Sequence, residues 1–241
     1  MKLKDKIALV TGGSKGIGKA IAKAYAREGT SVIICARNEV DLKKTEEEIE
    51  RETGREVHCF ALDVSNKEEV DRLSNKIEKK WGKLHILVNN ASILGSRVTI
   101  SEYPEEEWEE VIRINLTGPF FMIKALTPLI IKAGGGSIIN LSSTVGRVGR
   151  PLWGAYAVSK FGLEGLTQIL AGELRDYNIR VNSVNPGGTR TEMRREAYPE
   201  EDPMTLPTPD DIVGVFLYLA SDESKDVTGK ALDARDWMKR K

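Results

Sequence analysis

The sequence predicts an α/β protein with a doubly wound parallel sheet between two layers of helices, three layers in all. Short, nearly continuous apolar runs recur along the chain, as expected of strands that are buried on both faces. Charged segments with apolar residues three and four positions apart separate these runs, and this spacing is typical of helices. Because parallel neighbours need crossover connections, the alternation favours one sheet covered on both faces. We expect a single domain over residues 1–241.

The elements follow one another in a regular order. The run "KIALV" predicts the first strand, and "IGKAIAKAYAREG" predicts the first helix, which ends at a glycine. "VDLKKTEEEIERETG" predicts the second helix in the same way. The predicted strands are residues 6–10, 31–35, 57–62, 85–90, 137–143 and 179–185. Residues 189–211 hold four prolines and many charges, so we expect a long loop there that acts as a lid over the substrate.

Composition and charge narrow the possible partners. The chain has 36 Lys and Arg and 36 Asp and Glu, so its overall charge favours neither nucleic acid nor an anionic membrane surface. No uninterrupted apolar stretch reaches the roughly 18 residues of a membrane span, and the charged start lacks the apolar core of a signal peptide. Cys35 and Cys59 lack CxxC spacing, which favours reduced, buried thiols. We expect a cytoplasmic protein with no metal site, nucleic-acid partner or membrane partner.

The first chemical motif, "VTGGSKGIGKA", lies between the first strand and the first helix. Gly12, Gly16 and Gly18 permit a tight turn and a close approach of the backbone to a ligand. The N-terminus of the helix offers free N–H groups to a pyrophosphate. Glycine spacing alone is a weak signal, but the strand before it and the helix after it favour a dinucleotide site of the Rossmann type over a plain turn.

The end of the second strand predicts which dinucleotide is bound. NAD sites place a carboxylate about 20 residues past the glycines, where it accepts a hydrogen bond from the ribose 2′-hydroxyl. Here Ala36 stands at that position and Arg37 follows it. Arg37 and Lys15 can pair with a 2′-phosphate. Because Ala36 replaces the carboxylate of NAD sites, no negative charge at that position repels the phosphate. We therefore predict NADP(H) in preference to NAD(H), and two solvated surface cations are the alternative interpretation.

A tyrosine and a lysine lie four positions apart in "GAYAVSK". On a helix this spacing puts Tyr156 and Lys160 on one face. A phenol with a pKa of about 10 is poorly matched to proton transfer at neutral pH, and a nearby cation lowers that pKa. We expect Tyr156 to protonate a carbonyl oxygen while the dinucleotide delivers hydride to the carbon. Ser143 would hydrogen-bond the same oxygen, with Ser142 as the competing candidate and capping of the strand end as the alternative role.

Over nearly its whole length the chain resembles a classical short-chain dehydrogenase/reductase. "TGGSKGIG" is similar to that family's cofactor motif, "LDVS" to its adenine-binding turn, "NNAS" to its fourth-strand signature and "NPGGTRT" to the segment beside the nicotinamide. Ser92 departs from the usual glycine. The matches to the family's catalytic tetrad are Asn115, Ser143, Tyr156 and Lys160, and the family spacing favours Ser143 over Ser142.

The resemblance also implies which residues contact the cofactor. These are Gly12, Ser14, Lys15, Gly16, Ile17, Gly18, Arg37, Asp63, Val64, Asn90, Ala91, Tyr156, Lys160, Pro186, Gly187, Thr189 and Thr191. Their positions beside the tetrad and in the lid assign Ser143, Val145, Trp153 and Arg194 to a substrate pocket. Several arginines near the site suit an anionic substrate if they converge, and the alternative is a set of solvated loop charges interleaved with glutamates.

A proline interrupts the amphipathic pattern "WEEVIRINLTGPFFMIKAL", which predicts a broken helix at Gly118 and Pro119. Pro119 lacks an N–H group, so the carbonyl of Asn115 loses its helical partner. A freed main-chain acceptor can hold an ordered water, and the resembled family places a relay water at this residue. We hypothesise that the water, Lys160 and the cofactor ribose reprotonate Tyr156, and a plain kink is the alternative.

Three functions remain open. The first is NADPH-dependent interconversion of a small carbonyl compound and its alcohol. The second is a 3-oxoacyl-(acyl-carrier-protein) reductase, which acts on a carrier-bound substrate. The third is a dinucleotide-binding sensor without turnover, and the complete tetrad argues against it. The chain also resembles the YciK-type oxidoreductases, whose substrate is not defined. The resemblance implies a homotetramer or homodimer, although the C-terminal "DARDW" departs from the family's glycines.

Overall fold

The computed structural model describes residues 1–238, which form one sheet with helices on both faces. Within this part of the chain the sheet has seven strands in the order β3-β2-β1-β4-β5-β6-β7, and every pairing is parallel. The strands are β1 (Ile7–Thr11), β2 (Ser31–Ala36), β3 (Val57–Ala61), β4 (Ile86–Asn89), β5 (Gly136–Leu141), β6 (Ile179–Asn185) and β7 (Ala231–Asp233). The predicted α/β class with a doubly wound parallel sheet is confirmed.

The helices cross between strands and cover the sheet. They are α1 (Gly16–Arg27), α2 (Glu39–Thr53), α3 (Lys67–Trp81), α4 (Glu105–Ile112), α5 (Gly118–Lys132), α6 (Gly154–Glu173), α7 (Glu192–Ala197), α8 (Gly214–Ala220) and α9 (Arg235–Met238). The bounds of α2 follow from its caps, because Asn38 Oδ1 accepts from the Asp41 N–H and Gly54 ends the helix with φ of 65°. All six predicted strands occur, and β7 is an addition that is too short to show a hydrophobic pattern.

The sheet reverses its winding between β1 and β4. From β1 the chain winds outward through β2 to β3, and it then returns so that β4 pairs with the opposite side of β1. In open parallel sheets, a crevice at this reversal opens outside the carboxyl ends of the strands, and ligands bind there. The turns that follow β1 and β4 are therefore the first place to look for a site.

Alternate residues of the central strands enter two separate apolar layers. On β1, Val10 packs in the layer that contains Phe216 of α8, and Leu9 lies in the layer on the other face. This alternation is what a strand buried on both faces needs. Cys35 is buried and Cys59 half-buried, and both are free thiols. Burial raises the pKa of Cys35 to about 12, so this thiol stays protonated and unreactive.

The run from α4 to α5 is one continuous helical stretch, so the predicted break at Gly118 and Pro119 is wrong. A π-helical turn, Arg113–Thr117, joins the two helices, and the Gly118 N–H donates to the Arg113 carbonyl. The wider turn shifts the hydrogen-bond register and places Pro119 in the first turn of α5, where a missing N–H group is tolerated. The proline therefore changes the pitch of the helix without ending it.

The same stretch, Glu105–Lys132, is long and apolar enough to cross a membrane, since its most apolar 18-residue window has a mean hydropathy of 1.5. Half of that window is buried inside the protein. Met122 and Leu126 of α5 lie fully buried in the apolar layer beneath the sheet. Core helices of soluble proteins combine the same length, composition and burial, and the fold accounts for this one.

Residues 189–211 are more ordered than the predicted long loop. They contain α7 and two 3₁₀ turns, Pro203–Thr205 and Pro209–Ile212. Thr191 caps α7 by accepting from the Arg194 N–H at 3.2 Å. The sequence pattern missed α7 because six residues are too few to establish a helical period.

Candidate active site

The turn between β1 and α1 forms one wall of a cleft at the carboxyl edge of the sheet. Gly12 and Gly16 have φ values of +64° and +55°, in the left-handed region that favours glycine. A Cβ atom at Gly12 would lie 2.8 Å from Asn90 Nδ2, and one at Gly18 would lie 2.3 Å from the Gly12 carbonyl oxygen. The backbone of the turn and the segment after β4 therefore approach each other too closely for side chains at these glycines.

Hydrogen bonds fix this turn to the segment that follows β4. Asn90 Nδ2 donates to the carbonyl of Thr11 at 2.8 Å and to that of Gly12 at 3.2 Å. Thr11 Oγ1 accepts from the main-chain N–H groups of Asn90 and Ala91 at 2.9 and 3.0 Å. Ser92 lines the cleft with φ outside the left-handed region, so a side chain is tolerated where the resembled family has glycine.

The cleft has a volume of about 640 Å³ and brings together most of the predicted site. The predicted residues that line it are Gly12, Ser14, Lys15, Gly16, Ile17, Arg37, Asp63, Val64, Asn90, Ala91, Ser143, Trp153, Tyr156, Lys160, Pro186, Gly187, Thr189, Thr191 and Arg194. Those that do not line it are Gly18, Asn115 and Val145. Further lining residues are Asn38, Asp41, Leu62, Ile93, Leu94, Ile114, Leu141, Met193 and Ala197.

Two of the three exceptions lie behind the wall of the cleft. Gly18 packs beneath the turn, against the carbonyl of Gly12. Val145 is buried in an apolar cluster with Trp153 and Tyr156, and it supports these rings from within. Both residues shape the cleft through packing in this structure, and their predicted contacts with ligands stay predictions.

The additional lining residues divide by whether the sequence could have revealed them. Asn38 and Asp41 follow Arg37 at the start of α2, and their proximity in sequence was a usable signal. Met193 and Ala197 line the cleft from α7. No pattern indicated these two, because the segment was expected to be a loop.

Asp63 follows β3 and is held by its neighbour Ser65, whose N–H and O–H groups donate to Asp63 Oδ1 at 2.8 and 2.7 Å. Partial burial acts to raise the pKa of Asp63, but the Ser65 hydrogen bonds and the charges of Arg113 and Arg37 outweigh it. The pKa of this carboxyl therefore lies below its usual value. A fixed, ionised acceptor results at this end of the cleft.

Arg37 follows the end of β2, and neither of the residues next to it in sequence is acidic. Arg37 lines the cleft, and among the residues described it forms no ion pair within 4.0 Å. Lys15 differs, because its ammonium pairs with Glu192 of α7. Both members of that pair are largely exposed, so the pair is weak. Of the two predicted phosphate ligands, Arg37 is thus the one without a direct ion pair among the residues described, although its charge also acts on Asp63.

Tyr156 and Lys160 lie one turn apart on α6, as the spacing predicts. Lys160 Nζ is 5.5 Å from the centroid of the Tyr156 ring, and both side chains are buried although they line the cleft. The ammonium donates to the Leu141 carbonyl at 2.8 Å, which fixes it at the end of β5. Ser143 reaches Tyr156 with a side-chain hydrogen bond. Three predicted catalytic side chains therefore meet at one point.

Burial, rather than charge, controls the protonation of this pair. It raises the pKa of Tyr156 to about 12, and the hydrogen bond with Ser143 only opposes this. It lowers the pKa of Lys160 to about 8, against the charge of Glu164. The expectation of a Tyr156 pKa below its usual value is therefore wrong for this structure, because desolvation of the phenol dominates while the Lys160 ammonium is directed at the Leu141 carbonyl. Tyr156 is held as a neutral acid.

The two serines after β5 have different environments. Ser143 Oγ accepts from the Val145 N–H at 3.4 Å, a local cap, and it also bonds Tyr156. The predicted capping role and the predicted site role therefore coexist. Ser142 Oγ is buried and has no hydrogen-bond partner among the residues described. Contact with Tyr156 favours Ser143 as the residue that reaches a bound oxygen.

The Asn115 side chain fastens the π-helical turn to the segment after β4. Asn115 Oδ1 accepts from the Ile93 N–H at 2.9 Å, and Nδ2 donates to the Ile93 carbonyl at 2.8 Å and to Ser159 Oγ at 3.2 Å. Ser159 Oγ in turn donates to the Tyr156 carbonyl at 2.7 Å. The side chain is thus fully engaged in positioning, and only its main-chain carbonyl could serve a relay.

A partly buried ion-pair network lies next to Lys160 along α6. Glu164, one turn further along α6, accepts from Ser183 Oγ at 2.6 Å and from Arg147 Nε at 3.1 Å. Arg147 also pairs with Asp233 of β7 at 3.0 Å. The network joins the loop after β5 to α6, β6 and β7. Arg147 is thereby bound within the fold, so it does not converge on a substrate.

The C-terminal "DARDW" segment supports the loop after β6. Asp233 Oδ1 accepts from Asn185 Nδ2 at 2.5 Å, and Arg235 donates to the Gly188 carbonyl at 2.7 Å. A Cβ atom at Gly187 would lie 3.0 Å from Arg235 Nε, which shows how closely this side chain covers the loop. The residues that replace the family's glycines therefore hold the segment that contains Pro186 in place.

Arg194 lines the cleft but already has an acidic partner. Its Nε and NH2 groups donate to both carboxylate oxygens of Glu201 at 2.6 and 2.7 Å, and its guanidinium lies 3.8 Å from the centroid of the Tyr198 ring. Arg190 donates to main-chain carbonyls, including that of Pro203 at 2.8 Å. These two arginines therefore do not converge on an anion, and their pairing within the lid segment agrees with the alternative of loop charges matched by glutamates and main-chain groups.

Comparison with known proteins decides the family. The sequence profile described as short chain dehydrogenase matches residues 6–202. The chain belongs to the short chain dehydrogenase family. The Uncharacterized oxidoreductase YciK of Escherichia coli (strain K12) is 43% identical over 98% of this chain and 94% of its own length. The 3-oxoacyl-(acyl-carrier-protein) reductase FabG of Thermotoga maritima is 38% identical over 96% of this chain and 97% of its own length.

A solved structure agrees with this assignment. A short chain dehydrogenase of Shigella flexneri 2a str. 301, complexed with NADP, is 44% identical and has a TM-score of 0.94 over 97% of this chain and 98% of that one. This short chain dehydrogenase is accordingly an NAD(P)-dependent oxidoreductase. The predicted family and enzyme class are confirmed, and the predicted choice of NADP(H) agrees with the ligand of the Shigella protein.

Proposed function

We propose that the protein is an NADPH-dependent reductase of small carbonyl compounds, which also oxidises the corresponding alcohols, with Tyr156 as general acid and base. The observation that supports this most is the meeting of Tyr156, Ser143 and Lys160 at the wall of one cleft. A neutral phenol beside a hydroxyl is the pair that a carbonyl oxygen needs, one group to donate a proton and one to hydrogen-bond.

The residues at the other end of the cleft fit NADP(H). No side chain caps the start of α1, which leaves main-chain N–H groups for a pyrophosphate, and Arg37 forms no ion pair within 4.0 Å among the residues described and can bind a 2′-phosphate. Asp63 offers an ionised acceptor to the adenosine end. The residues that would hold the dinucleotide are Gly12, Ser14, Lys15, Gly16, Ile17, Gly18, Arg37, Asp63, Val64, Asn90, Ala91, Tyr156, Lys160, Pro186, Gly187, Thr189 and Thr191. When bound, it supplies a hydride to the carbonyl carbon.

The mechanism follows from what these side chains can do. Ser143 holds the carbonyl oxygen by a hydrogen bond, and Tyr156 transfers its phenolic proton to that oxygen. The phenolate that forms is stabilised by the ammonium of Lys160 on the same helix face. Raising the pKa of Tyr156 keeps the proton available until the oxygen gains charge. The cost of forming a buried phenolate makes the nearby cation necessary.

The proton on Tyr156 must be restored after each turnover. Lys160 is an ionisable proton donor on the same helix face, and hydrogen bonds through Ser159 connect Asn115 of the π-helical turn to the catalytic helix. A water on the Asn115 main-chain carbonyl, together with Lys160 and the cofactor ribose, would complete the path. The π-helical turn supports this proposal because such turns free main-chain acceptors and occur frequently at functional sites.

Lys160 sets a pH dependence for the reduction. Its pKa of about 8, against 10.5 for a free lysine, means that its positive charge is lost as the pH rises through about 8. We expect kcat/KM with NADPH to be constant below that pH and to fall above it, because the phenolate then lacks its cation. In Lys160→Arg, whose guanidinium does not titrate, the rate should be lower and the fall above pH 8 absent. A fall that persists in this variant would contradict the assignment.

Arg37 is expected to select NADP(H) over NAD(H). Arg37→Gln should raise the Kd of NADPH about tenfold and leave that of NADH unchanged, because a charge-assisted hydrogen bond contributes about 1.5 kcal/mol or more. Lys15→Gln should have a smaller effect, since Glu192 already shares the charge of Lys15. Both dissociation constants are measured by fluorescence titration. The matched control is Arg72→Gln, at an exposed position of α3. Equal losses for the two dinucleotides would count against a phosphate contact.

A substrate panel tests the proposed function. Purified protein is assayed with NADPH and with NADP on ketoacyl thioesters, sugars, ketosteroids and simple aldehydes or their alcohols. Turnover of any member that depends on the dinucleotide supports an oxidoreductase of this kind. Tight binding of NADPH with no turnover across the panel would instead support a dinucleotide-binding sensor.

A carrier-bound acyl chain is the second candidate substrate, because a 3-oxoacyl-(acyl-carrier-protein) reductase is among the relatives. Free basic side chains at the entrance would help to bind a carrier, but Arg194 pairs with Glu201 and Lys15 pairs with Glu192. This pairing favours the free small molecule. Comparing turnover of one 3-oxoacyl chain as a simple thioester and on acyl carrier protein separates the two candidates.

The remaining proposals concern organisation. We propose that residues 1–241 form one domain. Residues 239–241 lie outside the part of the chain that the structure describes. Residues 189–211 are proposed as a lid, because α7 brings Met193 and Ala197 to the cleft. With Ser143, Val145, Trp153 and Arg194, they would enclose the substrate. A cytoplasmic homotetramer or homodimer is proposed from family membership, and light scattering with size-exclusion chromatography tests it.

A further inference from the structure

A second groove adjoins the catalytic cleft and shares part of its wall. Ile93, Leu94 and Ala197 line both, so a molecule bound at Tyr156 can extend from the cleft into the groove. Among the described residues that line this groove, Arg97 is the one basic side chain. The groove is therefore a continuation of the proposed substrate site that contains a fixed cation.

Two aromatic rings fix the position of Arg97. Its guanidinium carbon lies 4.4 Å from the centroid of the Trp153 ring and 5.0 Å from that of Tyr198. The Trp153 centroid is in turn 5.6 Å from that of Tyr156. The cation and the proposed general acid therefore both lie beside the same indole ring. Planar guanidinium groups stack well on aromatic faces, and stacking leaves their edges free to bind.

Arg97 has more donors than partners. NH1 donates to the Ala197 carbonyl, while Nε is buried without a hydrogen-bond partner, and no carboxylate of the described chain lies within 4.0 Å. Arg194 and Arg147, two arginines near the proposed substrate end of the cleft, are both matched by carboxylates. Leaving an arginine partly unpaired beside apolar rings is costly, and an anionic ligand would satisfy it.

We propose that Arg97 binds a carboxylate at the end of the substrate remote from the reacting carbonyl. The inference rests on the proposed function, in which Tyr156 marks the place of that carbonyl. Because Arg97 and Tyr156 both lie beside the Trp153 ring, we expect the site to select carbonyl compounds whose acidic group lies roughly one aromatic ring from the carbonyl. Arg97 is then a residue that determines specificity, since it touches the substrate without taking part in proton or hydride transfer.

Acidic side chains in the same groove restrict the kind of anion. Glu107, Glu110 and Glu196 line it together with Arg97, and none lies within ion-pair distance of the guanidinium. Their charges repel a ligand that carries several negative charges, such as a phosphate ester or a nucleotide-linked thioester. A single carboxylate gains the contact with Arg97 at the least repulsion. The preferred substrates are therefore monocarboxylates.

A matched pair of aldehydes tests the proposal. 4-Carboxybenzaldehyde and methyl 4-formylbenzoate have the same carbonyl on the same ring, and only the first has a charge at the far end. With NADPH, we expect the wild type to prefer the acid by at least tenfold in kcat/KM, mainly through KM. Arg97→Gln should remove this preference and leave the rate on the ester within twofold. Arg97→Lys should retain part of this preference, because lysine keeps the positive charge but cannot donate two parallel hydrogen bonds to a carboxylate.

Binding measurements separate failure of this proposal from failure of the proposed function. Affinity of the NADPH-saturated protein for both aldehydes is measured by calorimetry, with Arg195→Gln on the exposed face of α7 as the control. The proposal is supported if the acid binds more tightly than the ester and this difference is lost in Arg97→Gln, even if neither aldehyde is reduced. A lack of reduction would count only against the proposed reductase activity. Equal affinity for the acid and the ester, or no measurable binding of either, overturns the proposed role of Arg97. The proposed reductase activity is then tested by the wider substrate panel.

Discussion

Tyr156→Phe is expected to lower kcat for carbonyl reduction about 10²- to 10⁴-fold, the range that a positioned general acid contributes. The substitution removes the phenolic proton and the hydrogen bond with Ser143, and it keeps the ring that packs against Trp153 at 5.6 Å. Because the ring stays, the Kd of NADPH and the melting temperature should change little. Steady-state kinetics and a fluorescence titration measure these quantities on one preparation.

The control for this variant is Tyr177→Phe, the same change at an exposed tyrosine beyond the end of α6. It should leave kcat and NADPH binding unchanged. If Tyr156→Phe keeps more than a tenth of the wild-type kcat, another group donates the proton and the proposed role of Tyr156 is wrong. If kcat falls because NADPH no longer binds, the residue is structural.

The fold could be predicted because its signals are local. Each central strand is a short apolar run, and α2 is bounded by residues with cap preferences, Asn38 and Gly54. The run around Pro119 was interpreted as a break because a proline excludes the regular helical hydrogen bond. A π-helical turn offers another solution, and it is recognised only in the folded backbone, where the Gly118 N–H donates to the Arg113 carbonyl.

The site could be predicted only where its residues are near one another in sequence or match a motif. Tyr156 and Lys160 share a helix face by their spacing alone. The protonation of the pair depends on burial by segments from elsewhere in the chain, and the Leu141 carbonyl that receives Lys160 Nζ has no mark in the sequence. Arg97 gave no signal either, because its partners come from the start of α6 and the end of α7.

Gly18, in the glycine-rich motif between β1 and α1, is expected to be sensitive to substitution. Gly18 does not line the cleft, yet it is the position in the β1–α1 turn where a side chain is tolerated least. A Cβ atom there would lie 2.3 Å from the Gly12 carbonyl oxygen and 2.5 Å from Asn90 Nδ2. The first contact is with backbone, so it cannot be relieved by a change of rotamer. α1 must move away from the segment after β4, or the turn that supports the pyrophosphate must open.

Gly18→Ala should therefore raise the Kd of NADPH about a hundredfold, since overpacking costs up to about 3 kcal/mol and 1.4 kcal/mol is tenfold in affinity. Gly172→Ala on α6 is the matched control, because its Cβ atom would meet nothing within 4 Å. There the free energy of unfolding should rise by about 0.5–1 kcal/mol with no change in Kd, because alanine favours a helix over glycine. If Gly18→Ala bound NADPH like the wild type, the close contact of the turn with Asn90 would not be what shapes the site.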